Sequence, residues 1–272
     1  MKIVRIRDFE VGGRRPFVLI AGPCVLEDER ETIDIALFLK ELTAQLDIPF
    51  IFKASYDKAN RSSKDSFRGP GLTEGLPILG RIREELNVPV ISDVHRFEEI
   101  DEASRILDIV QVPAFLCRQT DFVMEIARRA GIVNIKKGQF LAPWDVSNVL
   151  QKVVSTGNEN VMLTERGASF GYNNLVVDMR SLPIMRQMGY PVVFDATHSV
   201  QLPGGAGNRS GGDRDMAVYL ARAAVATGVD GLFIEVHPNP ECALCDGPNS
   251  LYLDSLPDLL TSLKKIDEIV KV

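Results

Sequence analysis

Two hydrophobic periods alternate along this chain, and few folds accept that alternation. Eight short apolar runs rich in β-branched residues occur at 17–24, 48–55, 88–94, 108–114, 132–138, 160–167, 191–198 and 231–237, with starts 20 to 40 residues apart. Between them the period lengthens to that of a helix. Residues 29–46 place Ile35, Phe38, Leu39, Leu42 and Leu46 on one face, and 213–229 and 254–272 read the same way. Strands that are apolar throughout are buried on both faces, which calls for a parallel sheet covered by helices.

Eight such units close a barrel. The expected fold is therefore α/β, a (β/α)8 TIM barrel formed by residues 1–272 as one domain. Residues 1–16 can form a short N-terminal hairpin ahead of it. An open doubly wound sheet is the alternative. The length of 272 residues suits a single barrel, and 45% hydrophobic with 25% charged residues is an ordinary globular composition. Four cysteines, Cys24, Cys117, Cys242 and Cys245, are too few for a disulfide scaffold, so a cytoplasmic setting is expected. No apolar signal core opens the chain, and no run of about 18 apolar residues suggests a membrane span. A net charge of −6 without a basic run argues against a nucleic-acid partner.

The ends of the strands are more informative than their middles. They carry Cys24, Lys53 with Ser55, Asp93 with His95, Gln111, Lys136, Arg166, His198, and Glu235 with His237. In a barrel these ends meet at the C-terminal mouth, where active sites are built. One group suits a metal. Cys24, His198, Glu235 and Asp246 come from the first, seventh and eighth strands and the loop that follows. A thiolate, an imidazole and two carboxylates can hold a divalent transition metal such as Zn, Fe, Mn or Co. Taken singly, Cys24 reads equally well as a small buried hydrophobe. Cys242 and Cys245 have CxxC spacing but no second pair, so they read as incidental or structural.

A second group is cationic: Lys53, Lys58, Arg61, Lys136 and Arg166, with Arg118 as an outlying member. Cations at the ends of apolar strands imply a resident anion. Three loops, 56–71, 199–212 and 238–251, are long and follow strands. The glycine-rich stretch 204–207 lacks the GK[ST] of a phosphate loop and reads as part of a lid or as plain surface.

The stretches 21–24 (AGPC), 52–63 (FKASYDKANRSS), 67–71 (FRGPG), 111–116 (QVPAFL), 135–140 (IKKGQF), 165–167 (ERG), 194–198 (FDATH) and 245–248 (CDGP) together resemble the 3-deoxy-manno-octulosonate-8-phosphate synthases. The resemblance runs from about residue 17 to the C-terminus, and 53–63 is its most specific part. It implies a barrel enzyme that joins phosphoenolpyruvate to D-arabinose 5-phosphate with water and releases phosphate, for lipopolysaccharide synthesis. By resemblance, Lys53, Ser55 and Lys58 surround the carboxylate end of phosphoenolpyruvate, and Lys136 and Arg166 hold its phosphate. Asn60, Arg61 and Ser62 take the phosphosugar, with Arg118 supplied by a neighbouring subunit of a homotetramer. Asp93 and Gln111 line the same pocket. Lys58, Asn60, Asp93, His198 and Asp246 are the expected catalytic set.

Metal-independent members carry Asn where this chain has Cys24. The resemblance is thus to the metal-dependent class, and Cys24 carries that inference nearly alone. The sister synthase that uses erythrose 4-phosphate is the alternative enzyme. It typically has a Lys-Pro-Arg-Thr type stretch where this chain has Lys58-Ala59-Asn60-Arg61. A non-catalytic phosphosugar-binding barrel is the alternative outside enzymes.

Overall fold

The computed structural model describes residues 1–205 and 210–271. Its eight barrel strands fall within the eight apolar runs: β1 Val18–Gly22, β2 Phe50–Lys53, β3 Val90–Asp93, β4 Ile109–Val112, β5 Val133–Lys136, β6 Val161–Glu165, β7 Val192–Asp195 and β8 Gly231–His237. Every residue in them is buried, as a sheet covered on both faces requires. Most runs outlast their strands because the polar ends leave the ladder to build the mouth.

Strands β1 to β7 pair in order, each parallel to the next, and β8 pairs with both β7 and β1. That double pairing closes the barrel and removes the open sheet as an alternative. Gly231 sits at the seam, opposite Val193 on one side and Val18 on the other. A Cβ there would lie 2.9 Å from Val18 Cγ1 and 3.1 Å from Val193 Cγ2, so the seam closes only around glycine.

The outer layer is α1 Glu29–Gln45, α2 Leu72–Glu85, α3 Ile100–Ile106, α4 Thr120–Arg129, α5 Val146–Val154, α6 Ser181–Arg186, α7 Arg214–Ala226 and α8 Leu256–Val270. Asp28 caps α1 by accepting the Glu31 N–H at 2.9 Å. Ile35, Leu39 and Leu42 face the strands as expected, whereas Phe38 lies at the edge of the stripe and stays 36% exposed. No helix among the described residues is long and apolar enough to cross a membrane. Within the loop at 199–212, Gln201–Leu202 pairs antiparallel with Gly211–Gly212, giving a short ribbon over the mouth. The expected lid tip at 206–209 lies outside the described residues.

The hairpin expected before the barrel is Val4–Ile6 paired with Phe9–Val11. Its Val4, Ile6 and Val11 join one buried cluster with Val18, Ile20, Ile51, Ile91, Ile109 and Phe233 from the barrel interior. The hairpin therefore plugs the floor of the barrel. Three carboxylates stitch that floor by accepting N–H groups at or just before strand starts. Asp267 takes Phe17 N at 3.0 Å, Asp108 takes Val90 N at 2.9 Å, and Asp230 takes Val192 N at 2.9 Å. Asp230 is fully buried and is also gripped by the Arg186 guanidinium at 3.0 and 2.9 Å.

Asp230→Ala leaves the Val192 N–H and the Arg186 guanidinium without their acceptor. The expected loss is about 2–4 kcal/mol, since breaking a buried pair strands the surviving partner. Asp230→Asn keeps an acceptor and should lose about half as much. Chemical denaturation of the three proteins checks this. A change in Asp230→Ala smaller than the error of the measurement would show that the floor does not depend on this carboxylate.

Candidate active site

The mouth is a cavity lined by residues from the ends of strands β2 to β5 and from the loops after β2 to β8. Eleven of the expected site residues line it: Lys53, Lys58, Asn60, Arg61, Ser62, Asp93, Gln111, Lys136, Arg166, His198 and Asp246. The strand period explains how they get there. Side chains alternate between barrel interior and helix layer, so Lys136 points inward while Lys137 points out.

Charge in the cavity is arranged in pairs. Lys53 Nζ lies 2.6 Å from Glu235 Oε1 and Lys58 Nζ 3.6 Å from the same oxygen. Lys136 Nζ lies 2.7 Å from Asp195 Oδ2, and Arg61 Nη1 lies 3.5 Å from Asp246 Oδ1. Among the described residues, Arg166 is the one cavity cation with no carboxylate at ion-pairing distance. It is 4% exposed and makes only neutral contacts, to His198 O at 3.2 Å, Gln201 Oε1 at 2.9 Å and Gln139 Oε1 at 3.4 Å. Its Nε–H has no acceptor among the described residues.

Burial pushes Lys136 below the ordinary lysine range. The neighbouring Lys53 and Arg166 charges add to that effect, while Asp195 opposes it. Burial alone would raise Glu235, but His198, Lys53, Lys58 and Lys136 hold it well below the carboxylate range. Asp93 follows the same logic: burial is outweighed by the His95 hydrogen bond and by the His95, Lys58 and Lys53 charges. Its carboxylate takes the Ser55 hydroxyl at 2.5 Å and faces His95 Nε2 at 3.1 Å.

Together with Cys245, the four expected metal ligands form two overlapping groups. His198, Glu235 and Asp246 converge in one, and Cys24, Cys245 and Asp246 in the other, with ligand atoms within 4.8 Å in each. His198 turns Nδ1 to Asp195 Oδ2 at 2.8 Å, which leaves Nε2 facing Glu235 at 3.7 Å and Asp246 at 3.8 Å. A carboxylate behind one ring nitrogen is the usual way to aim the other at a metal. Glu235 Oε2 is buried with no hydrogen-bond partner among the described residues, which leaves an acceptor for a cation. Mixed thiol, imidazole and carboxylate donors suit a transition metal, so the residues fit one.

Four of the expected residues do not line the cavity. Ser55 does not line the cavity; it is fully buried and spends its hydroxyl on Asp93. Cys24 and Glu235 also lie behind the lining, 4% and 1% exposed. Arg118 is not at this mouth: it borders a separate hollow with Asp145, Asn148 and Lys152. Cys245, read as incidental, has its sulfur 2.9 Å from Cys24 Sγ and accepts from Arg61 Nη1 at 2.7 Å. Its spacing partner Cys242 is exposed and apart from the site.

Sequence reasoning left His95, Gln139, Gln201 and Asp195 out of the site. His95 was visible as a polar strand end. Asp195 had a signal too, a carboxylate three residues before a strand-end histidine. Gln139 and Gln201 had none, because nothing local marks a loop glutamine as facing a cation.

Comparison with known proteins bears on the whole chain. The profile of the DAHP synthetase I family matches residues 2–272. The 2-dehydro-3-deoxyphosphooctonate aldolase of Geotalea daltonii is 62% identical over 271 residues, covering 100% of both chains. That of Geobacter metallireducens is 63% identical over 98% of each chain, and that of Trichlorobacter lovleyi 59% over 99%. With its length matched throughout at this identity, the chain belongs to the DAHP synthetase I family and, within it, to the 2-dehydro-3-deoxyphosphooctonate aldolases.

Proposed function

We propose that this barrel condenses phosphoenolpyruvate with D-arabinose 5-phosphate and water, giving 3-deoxy-D-manno-octulosonate 8-phosphate and inorganic phosphate. The observation that carries the reading is Arg166, a buried guanidinium that among the described residues has no carboxylate at ion-pairing distance and an unpartnered N–H, beside Lys136 at the end of β5. A buried cation of this kind calls for an anion of fork-compatible shape, and the phosphate of phosphoenolpyruvate has it. Lys53 and Lys58, both buried, face its carboxylate in this reading. Asn60, Arg61 and Ser62, on the loop after β2, take the sugar and its distal phosphate. We read residues 1–272 as one domain, because the hairpin is part of the barrel's own interior cluster.

The chemistry follows from the charges. C3 of the enol bonds to the aldehyde carbon, and a proton reaches the former aldehyde oxygen. The oxygen of water bonds to C2, and its proton passes to a carboxylate. In this reading Asp93, a cavity carboxylate kept ionised by His95, Lys58 and Lys53, receives it. The bond from C2 to the phosphate oxygen then breaks, the C2 hydroxyl gives its proton to the departing phosphate as the ketone forms, and phosphate leaves with the electron pair. Arg166 and Lys136 hold the phosphate charge throughout, and the paired cations offset repulsion between two phosphorylated substrates.

Cys24, His198, Glu235 and Asp246 would hold a divalent transition metal, which supplies Lewis-acid polarisation or a more acidic water. The sulfur of Cys245 is close enough to Cys24 to influence that site. We read the compartment as the cytoplasm, because four cysteines are too few for a disulfide scaffold. The homotetramer belongs to the same reading. Phe115, Phe140, Trp144 and Phe170 stand exposed on the consecutive loops after β4, β5 and β6, near the Arg118 hollow. That sector suits a second copy, whose Arg118 would then reach a neighbouring mouth.

Arg166→Ala should lower kcat/KM for phosphoenolpyruvate at least about ten- to a hundredfold, the worth of one charge-assisted contact. Unchanged steady-state kinetics would remove Arg166 from the phosphate site.

Metal dependence is checked by elemental analysis of the purified protein together with chelator inactivation and divalent-ion rescue. Cys24→Ala should weaken metal affinity by at least about tenfold, since even outer partners of ligands have effects of that size. Full activity in protein shown to be metal-free would refute the metal assignment.

Direct competition between arabinose 5-phosphate and erythrose 4-phosphate tests substrate choice. Arabinose 5-phosphate should be used far better. Asn60→Ala should lower efficiency with that sugar while sparing phosphoenolpyruvate affinity, because an amide can both donate to and accept from a hydroxyl. Arg61→Ala should weaken use of either phosphosugar. Equal use of both sugars by the unmodified protein would overturn the reading.

A further inference from the structure

The chain has a second lysine beside Lys136, and no step above employs it. Lys137 is only 2% exposed and lies outside the barrel, between the loops after β5 and β6. Its ammonium donates to Leu141 O and Gly167 O, each at 3.1 Å, and to Gly138 O at 3.4 Å. It also pairs with Glu165 Oε1 at 3.3 Å, and the same oxygen accepts the Gly167 N–H at 2.6 Å. One buried ion pair thus grips Gly167 by both its N–H and its carbonyl, and ties it to the 138–141 turn.

What stands on those two loops gives the pair its meaning. Arg166 lies between Glu165 and Gly167 in the chain. Gln139, which accepts from Arg166 Nη1 at 3.4 Å, lies inside the gripped turn, and its carbonyl accepts Ser169 N at 2.8 Å. The turn is already tight: a Cβ on Gly138 would sit 2.6 Å from the Phe140 ring. Gly167 has φ +90°, a conformation favouring glycine, so the backbone after Arg166 is not held by its own preference. An ammonium can donate three hydrogen bonds in diverging directions, which the planar guanidinium of arginine cannot do from the same point.

We propose that Lys137, acting with Glu165, is a positioning residue that aims Arg166 and Gln139 at the phosphate of phosphoenolpyruvate. The inference rests on the assignment of Arg166 to that phosphate. It predicts an effect confined to one substrate, although neither Lys137 nor Glu165 lines the cavity.

The test is steady-state kinetics of Lys137→Met, Glu165→Ala and Glu165→Gln, with Arg166→Ala in parallel and circular dichroism as a check on folding. Lys137→Met should raise KM for phosphoenolpyruvate about ten- to a hundredfold, the usual effect of a displacement near 1 Å at a reacting group, with KM for arabinose 5-phosphate nearly unchanged. Glu165→Ala should shift the same constant, and Glu165→Gln, which still accepts the Gly167 N–H, should recover most of the loss. If Lys137→Met does not fold, the two Glu165 variants decide. Equal KM values for phosphoenolpyruvate in the folded Lys137 and Glu165 variants and the unmodified protein, whatever their melting temperatures, would overturn the proposal. If Arg166→Ala impairs phosphoenolpyruvate use and these variants do not, only this inference falls. If Arg166→Ala has no effect, the phosphate assignment falls and takes the inference with it.

Discussion

The Glu235 carboxylate, near the end of β8, is the charge on which the rest of the mouth depends. It is 1% exposed, yet it is kept ionised by Lys53 at 2.6 Å, Lys58 at 3.6 Å and the His198 ring at 3.7 Å. An isolated carboxylate so deep would take up a proton or unfold its surroundings. Here each partner comes from a different strand or loop, so the pairing also holds β2, β7 and β8 in a common arrangement. Register places Glu235 opposite Gly22, two residues before Cys24, which is why the thiol and the carboxylate share a rim.

Around this anion the cavity separates two kinds of cation. Lys53, Lys58, Lys136 and Arg61 are matched by carboxylates of the chain itself, so they shape the field without presenting a bare charge. Arg166 is matched by carbonyl and amide oxygens only. A neutral acceptor orients a guanidinium without neutralising it. The chain is acidic overall, with a net charge of −6. A strong local field for an anion therefore depends on where a few cations are fixed.

Much of this was legible in the sequence. Eight apolar runs of strand length separated by helical periods specify a parallel α/β barrel, because both the number and the two-sided burial of the strands are written in residue type. The polar strand ends marked the mouth, and eleven of the expected residues do line it. The position of Ser55 was not legible, because a strand end does not say whether a hydroxyl faces the cavity or a neighbouring carboxylate. Phe38 misled because a residue at the margin of an apolar stripe can fall on either side of it.

The sequence by itself determined the strand count, the buried faces, the side of the barrel that holds the site and the family to which the chain belongs. These depend on periodicity and on residue types that local chemistry constrains. Only the tertiary structure decided which charges are paired. It set Arg166 without a carboxylate, put Asp195 behind His198, brought Cys245 to Cys24 and turned Lys137 outward onto three carbonyls. Each of these joins residues whose nearness comes from barrel closure and loop packing, and pairing at a distance leaves no period or spacing in a single sequence to be read.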